Sequence, residues 1–580
     1  MTVLKLKQRI SLCSILFFFF FYPQTGVTFL RAEILPSNRC VLWKGNVGIQ
    51  GDIPHRLGIF ANVRRAPYGA AGDGLQDDTQ AIQRAINDCP AGQVVYLPSG
   101  TYKITRGLNI KSFITLRGAG MDSTIIKGAA GLTDNHLIAF VFPDYDDNRY
   151  FQSGKPIIDG LYKGSTRITV TAHGYRKGDI LLIDQVNDDT GDPVITATGL
   201  DGTCTWCSRA NGTRVLGQVV EVASVPDANT LQLDIPLYYD FNQTKLPQTS
   251  RINPAYLIQS AGLEKLQVDN SLSYSDNQEN YGTVYMHAAI NCWLLNVKIN
   301  MVYKTGLVIR YGSYRDIVRG CQITKSYQYS ANAGYGMWLS YGVSACLIEN
   351  NIFNELSAGF IFNGANSGNV ISYNYFTDII STDYPNSVRD GIVAHGGHPM
   401  MNLFEGNYLN GPCIAADLYW GSSSHNTYLR NRVIIDVGKT GGTANIALWK
   451  HQTFHNFIGN ILGTKGHETV YENNDLYEGK MIYCLDYADD GPQNGKTART
   501  ILRHGNYDYV SDRTIWEASI ADHQIPPSYY LSEKPSWWGS FSWPAIGPDR
   551  NPMTGAIPAQ ARFQAGNRVP DPPGRLRFLR

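Results

Sequence analysis

Residues 351–376 read NIFNELSAGFIFNGANSGNVISYNYF, and two short phrases in this stretch decide the fold: Asn351-Ile352-Phe353 and Asn374-Tyr375-Phe376. The same frame, an asparagine followed by an apolar or aromatic pair, returns at Asn407-Tyr408-Leu409 and Asn460-Ile461-Leu462, and in looser form at Asn431-Arg432-Val433. The steps are 23, 33, 24 and 29 residues. Val297-Lys298-Ile299 and Cys321-Gln322-Ile323 fit it with another residue in the Asn slot. A period in this range is the mark of a solenoid, and the repeated residues are strand formers, so the solenoid is a parallel β-helix. Stacked coils lie ~4.8 Å apart. Asparagines at one turn position can therefore hydrogen-bond up and down the stack and satisfy backbone groups that water cannot reach.

A second column supports this register. Short apolar strands begin at Gly306, Gly336, Gly359 and Gly391, and the pattern is continued from Ala416 and Asn445. The chain has 580 residues, a net charge of +1 and 17% charged residues. No basic stripe is present, which argues against nucleic acid as a partner. The 57 glycines and 35 tyrosines suit many short strands and turns.

Lys5, Lys7 and Arg9 followed by the apolar run 10–22 read as a secretory signal within residues 1–32. The run is too short for the ~20 residues of a membrane span. The expected location is secreted, extracellular or periplasmic, with no span after cleavage. In that setting Cys204-Thr-Trp-Cys207 is expected to close a local disulfide, and Cys321 and Cys346 to be small core residues.

The organisation expected beyond the signal has four parts. Residues 33–160 hold an N-terminal cap and the first coils, and residues 161–250 a small antiparallel β insertion. Residues 251–490 form the main β-helix, and residues 491–580 an irregular tail rich in Pro and Trp that packs on or caps it. In the cap, Ala81, Ile82, Ala85 and Ile86 share one face of a helix, and Asp77 with Gln80 approximates a capping box. Such a helix shields the open edge of the first coil.

Tyr68-Gly-Ala-Ala-Gly-Asp-Gly74, Asp77-Asp78-Thr79-Gln-Ala-Ile82 and Leu97-Pro-Ser-Gly-Thr-Tyr102 resemble the opening of pectate-lyase-superfamily proteins, which include polygalacturonase-related enzymes and phage tailspikes. The resemblance implies an all-β, right-handed parallel β-helix. It implies no single reaction, because that superfamily contains hydrolases, lyases, epimerases and non-enzymes.

Candidate chemistry concentrates around Arg389-Asp-Gly-Ile-Val-Ala-His-Gly-Gly-His398. Asp390-Gly-Ile392 resembles the polygalacturonase active-site strand, and His395-Gly-Gly-His398 loosely resembles that family's Gly-His-Gly. The family's adjacent Asp pair is absent at the matching coil. Asp417 and Trp420 lie one coil on, and Trp449, Lys450 and His451 one further. Arg310 precedes them in the His395 column.

Three readings follow. In the first, a secreted polysaccharide hydrolase uses Asp390 and Asp417 as its carboxylate pair, with His395 beside them. His398, Trp420, Arg310, Arg389, Lys450 and His451 contact the sugar. In the second, a lyase uses His395 or Lys450 as base and an arginine to neutralise a uronate carboxylate. In the third, a solenoid binds glycans without catalysis.

The histidines occur in no frame that fixes two metal ligands on one strand face, and no cofactor is read from the residues. The resemblance implies calcium only for lyase chemistry. Lys325, Glu355 and Asp378 are expected to stack as a solvated charge ladder, and Glu405 with Arg430 as an ion pair.

Overall fold

The computed structural model describes residues 34–132, 134–140, 147–188, 194, 196–272, 282–488 and 493–566. The expected signal, residues 1–32, lies outside them, as does the end of the tail. The body is a parallel β-helix, and most coils place three short strands around an apolar interior. One coil runs Leu347–Glu349, Ile352–Leu356 and Ala358–Phe362; the next runs Val370–Ser372, Tyr375–Ile379 and Asp390–Ala394. Their pairing sets Ile348 on Ile371, Phe353 on Phe376 and Phe360 on Ile392. Inside, Phe353 stacks on Phe376 with ring centroids 4.7 Å apart, and Phe404, Tyr428 and Phe457 form a second pile at 4.8 and 4.5 Å.

The asparagine column forms as the repeat predicts. Asn374 Oδ1 accepts from the backbone N–H of Asn351 at 2.9 Å and from its Nδ2 at 3.0 Å, while Asn374 Nδ2 donates to Ile348 O at 3.1 Å. The same three bonds recur through Asn407, Asn431 and Asn460 and reach a sixth rung, Asn506. That last step is 46 residues because the strand Met481–Tyr487 and a short helix lie between.

A second ladder runs Asn369, Asn402, Asn426, each five residues before a rung of the first. Its signal was available in Asn369-Val-Ile371 and Asn402-Leu-Phe404, which repeat the frame of the first column. The two ladders bracket each three-residue strand, so both corners of that wall are tied coil to coil.

Helix Thr79–Asp88 buries Ile82, Ala85 and Ile86 over the first coil. The capping box does not form. Asp78, the residue before the helix, accepts from Ala71 N at 2.6 Å and Gly72 N at 2.9 Å, and so holds the glycine turn instead. Asp77 bonds Thr79 N at 3.0 Å. The insertion is a six-stranded antiparallel sheet from Lys155–Pro156 to Gln248–Arg251. It is tied to the solenoid by Val219 N on Ser344 Oγ and by Ser367 Oγ on Gly217 O, both 3.0 Å.

The tail packs along the outside. Trp538 is buried edge-on to Tyr373, 4.8 Å away. Arg430 grips Asp549 in a two-point bond of 2.7 and 2.8 Å, so the expected Glu405–Arg430 pair is replaced. Glu405 instead accepts from Tyr373 Oη at 2.5 Å and Tyr529 N at 2.9 Å, and burial pushes its carboxyl up to about 7. Lys325, Glu355 and Asp378 do stack, in left-handed corners with φ of 63°, 53° and 52°. Among the described residues no helix is long and apolar enough to cross a membrane.

Asn407→Ala strips the acceptor from two donors of Asn374 and the donor from Ile371 O. Each buried group left unpaired costs ~1–3 kcal/mol. The substitution is expected to lower the chemical-denaturation stability by about 3 kcal/mol or more. Asn410→Ala, at an exposed position on the same coil, should change it by under ~0.5 kcal/mol. Equal effects from the two would refute the structural role of the ladder.

Candidate active site

The site lies on the outer face of the third strand column, where strands Tyr335–Leu339, Ala358–Phe362, Asp390–Ala394, Cys413–Ala416 and Ala444–Trp449 lie side by side. Alternation sends Ile392 and Ala394 into the core and Val393 outward. Residues one step past Ala394 and Ala416 therefore face out. Ala394 pairs with Ala416 and Ala416 with Leu448, which sets His395 beside Asp417 and Asp417 beside Trp449.

The sequence column had placed Ala416 opposite Gly391. The chain instead pairs Asp390 with Cys413 and then Ile392 with Ile414, across a local irregularity. That three-residue difference gives Asp417 an outward position and His395 as its neighbour.

His395 Nδ1 lies 2.6 Å from Asp417 Oδ2. With Asp417 ionised, Nδ1 carries the proton and donates. Asp417 is held from its other side: Oδ1 accepts from Tyr419 N at 3.2 Å, and its carbonyl accepts from Gln452 Nε2 at 2.5 Å. The His395 ring makes no second hydrogen bond with the described residues, so Nε2 remains available on a side chain that is 31% exposed and lines the cleft. Burial disfavours the imidazolium, but the Asp417 carboxylate outweighs it, with Asp390 and Asp201 adding, and the His395 value rises above its ordinary one.

The cleft encloses about 430 Å³, within the range of small-ligand sites. Arg389 lines it, its guanidinium 5.5 Å over the Tyr384 ring. Burial raises Asp390 from its ordinary value against the pull of Arg389, and pushes Tyr335 up to about 12. Trp420 and Trp449 stand on the same cleft, and Tyr419 lies 5.1 Å from Trp449.

Asp390 and Asp417 both line the cleft, and the Asp417 charge adds to the rise of Asp390. Asp390 sits over Cys413, whose Sγ is 3.5 Å away, while Asp417 is bonded to His395. His398 is fully buried, its Nε2 bonded to Ser424 Oγ at 2.8 Å, and burial keeps it neutral; it cannot touch a sugar. Arg310 is nearly buried. It stacks 4.8 Å from Trp338 and donates to Trp206 O at 2.8 Å, which pins the insertion. Lys450 and His451 follow Trp449 at the corner and do not line the cleft.

Sequence reasoning missed Tyr335, Tyr384 and Tyr419, and also Asp201 and Trp206 of the insertion. Tyr419 carried a signal, two residues from Asp417. The insertion residues carried none, since nothing local shows which coil they meet. Asp201 reaches the cleft through backbone bonds from Leu200 N to Leu418 O (3.0 Å) and Asp201 N to Tyr419 O (2.9 Å). The expected disulfide joins Cys204 and Cys207 at the same tip. Among the described residues no group of three or more His, Cys, Asp and Glu is placed to hold a metal ion.

Residues 60–179 match the family "Rhamnogalacturonase A/epimerase, pectate lyase-like". The opening coils are pectate-lyase-like. Mannuronan C5-epimerase AlgE1 of Azotobacter vinelandii is 47% identical over 77 residues, 12% of this chain and 6% of that protein. Alginate lyase 7 of the same organism is 48% identical over 69 residues, 10% and 8% of the two. The chain thus spans under a tenth of either relative's length. Among solved structures, the A-module of A. vinelandii mannuronan C-5 epimerase AlgE6 overlays 77% of this chain and 98% of its own, with a TM-score of 0.42 and 14% identity.

The Asp417 contact favours protonated His395, so the imidazole is expected to stay charged as pH rises past 6.5 and to lose its proton only above that. The fold gains from this contact below the unfolded histidine value and loses the gain as pH rises through the folded one. NMR titration of His395 should show the raised midpoint, and Asp417→Asn should lower it. An unchanged midpoint in the variant would contradict the coupling.

Proposed function

We propose that the chain is a secreted enzyme acting on a uronate-containing polysaccharide, with His395 removing the proton next to the sugar carboxylate. The observation that carries this reading is the 2.6 Å His395–Asp417 contact on the open cleft. A carboxylate on Nδ1 fixes the ring and its tautomer, strengthens the imidazole as a base and leaves Nε2 to accept the proton. Arg389 stands on the same cleft as the group to neutralise the uronate carboxylate, whose charge spreads into the enolate as the proton leaves. Trp420, Trp449 and Tyr419 offer faces for sugar rings.

Two outcomes share this first step. Loss of the leaving group at the neighbouring carbon gives an unsaturated sugar; return of a proton to the opposite face gives the epimer. The relatives named for the alginate-lyase and mannuronan-epimerase activities support a start of this kind. The two-carboxylate hydrolase draws less support, because Asp417 is committed to His395.

The test is incubation of the protein with uronate polysaccharides in deuterated water. It is read for deuterium next to the carboxylate, for absorbance of an unsaturated product, and for reducing ends. Deuterium or absorbance is expected, with activity rising with pH as His395 loses its proton. His395→Gln should lower the rate ~10²–10⁴-fold, and Asp417→Asn should lower it and move the acid limb to lower pH. Reducing ends with neither other signal would sink the proposal in favour of hydrolysis.

A further inference from the structure

The cleft has the wrong charge for a chain that bears a carboxylate on every sugar. Among the described residues its charged side chains are Arg389 and His395 on one side and Asp201, Asp390 and Asp417 on the other. Of the two cationic groups, His395 is occupied by Asp417 and is neutral when it acts as base. One permanent cation is left, enough to meet one uronate.

The rest of the lining is uncharged: aromatic and aliphatic side chains with the polar Asn332 and Ser387. Val393, Ala415 and Ala447 floor the cleft. Trp420 lines the cleft, and Trp206 of the insertion supports it edge-on at 5.6 Å. Ring faces of this kind take sugars through their C–H surfaces and ask for no charge.

Asp201 holds the decisive position. Its backbone is fixed to Tyr419 O, its side chain is exposed on the cleft, and its charge reaches His395. A sugar beside the reacting uronate therefore meets a carboxylate. Like charges set face to face weaken binding in a specific interface.

We propose that the substrate is a heteropolysaccharide in which single uronates stand between neutral sugars, and that Asp201 of the insertion and Trp420 of the cleft select the neutral neighbour. Arg389 takes the one carboxylate; the tryptophan shelf takes the flanking ring; Asp201 rejects a second acid. This rests on the uronate reading of the His395–Asp417 site, but its test can be read apart from turnover.

The test measures affinity by calorimetry in a chelating buffer, so that no divalent cation bridges acid to acid. The probes are fragments of gellan, which has one glucuronate in each four-sugar repeat, and polymannuronate and polygalacturonate fragments of equal length. Gellan fragments should bind at least about ten-fold more tightly at low salt. Added sodium chloride should narrow the gap by screening the repulsion. Asp201→Lys should strengthen polyuronate binding about ten-fold, and Arg389→Gln should weaken gellan binding.

Equal or tighter polyuronate binding at low salt, or no response to Asp201→Lys, overturns the inference. Absence of deuterium exchange and of unsaturated product on every probe would instead remove the proton-abstraction reading, while the order of affinities still decides this one.

Discussion

Everything in this molecule hangs on the hydrogen bond that one asparagine side chain makes to the next coil. In a parallel stack the strands themselves fix the spacing between coils, but a slip of one residue would still turn every side chain to the other face. The ladders forbid the slip. Asn374 accepts two bonds from Asn351 while reaching back to Ile348 O, so a displaced coil would bury several unpaired groups at once. Two ladders, five residues apart, lock both ends of the shortest strand. The stacking of Phe353 on Phe376, and of Phe404, Tyr428 and Phe457, follows from that register and fills the interior.

The locked register explains what could and could not be read ahead of the structure. Asn351, Asn374, Asn407, Asn431 and Asn460 were legible because a buried amide has few substitutes at that corner. The capping helix was legible from Ala81, Ile82, Ala85 and Ile86. The outer face was harder. There the sequence is free to change coil length, and the coil after Asp390 is three residues shorter on the approach to its strand than the column implied. The motif residues His395 and Asp417 were both visible, but their contact was not. Asp390 attracted a catalytic role through its Asp-Gly-Ile context, and the actual register gives it Cys413 as neighbour. His398 looked like a second site histidine only because the sequence does not say that the next turn dives inward to Ser424.

Electrostatics then separates the buried charges by their neighbours. His395 and His398 are three residues apart, and their environments push them in opposite directions. Burial acts on both, but His395 has Asp417 and rises, while His398 has a serine hydroxyl and falls. The same contrast holds under the tail. Arg430 is matched by Asp549, whereas Glu405 has only hydroxyl and amide donors and is raised to about 7. A tail fastened by a buried arginine and a nearly neutral carboxyl covers an outer wall that would otherwise be wet.

The insertion carries the part of the site that the repeat cannot supply. A solenoid surface is a ridge of near-identical rungs, good at binding a long polymer and poor at telling one position along it from the next. Breaking that equivalence needs an element from outside the repeat. Here it comes from a loop closed by Cys204–Cys207, whose Trp206 carbonyl is held by Arg310 and whose Asp201 is tied to the segment just past Asp417. Gly364 and Gly397 make room for it: a Cβ on either would press on Cys207, at 1.7 Å from its carbonyl oxygen and 2.7 Å from its sulfur. Glycine at these two corners is therefore required by the loop as well as by the left-handed turn of the coil, with φ of 67° and 68°. The coil bearing His395 is fitted to receive the insertion, and the reacting position is singled out along the solenoid by where that loop lands.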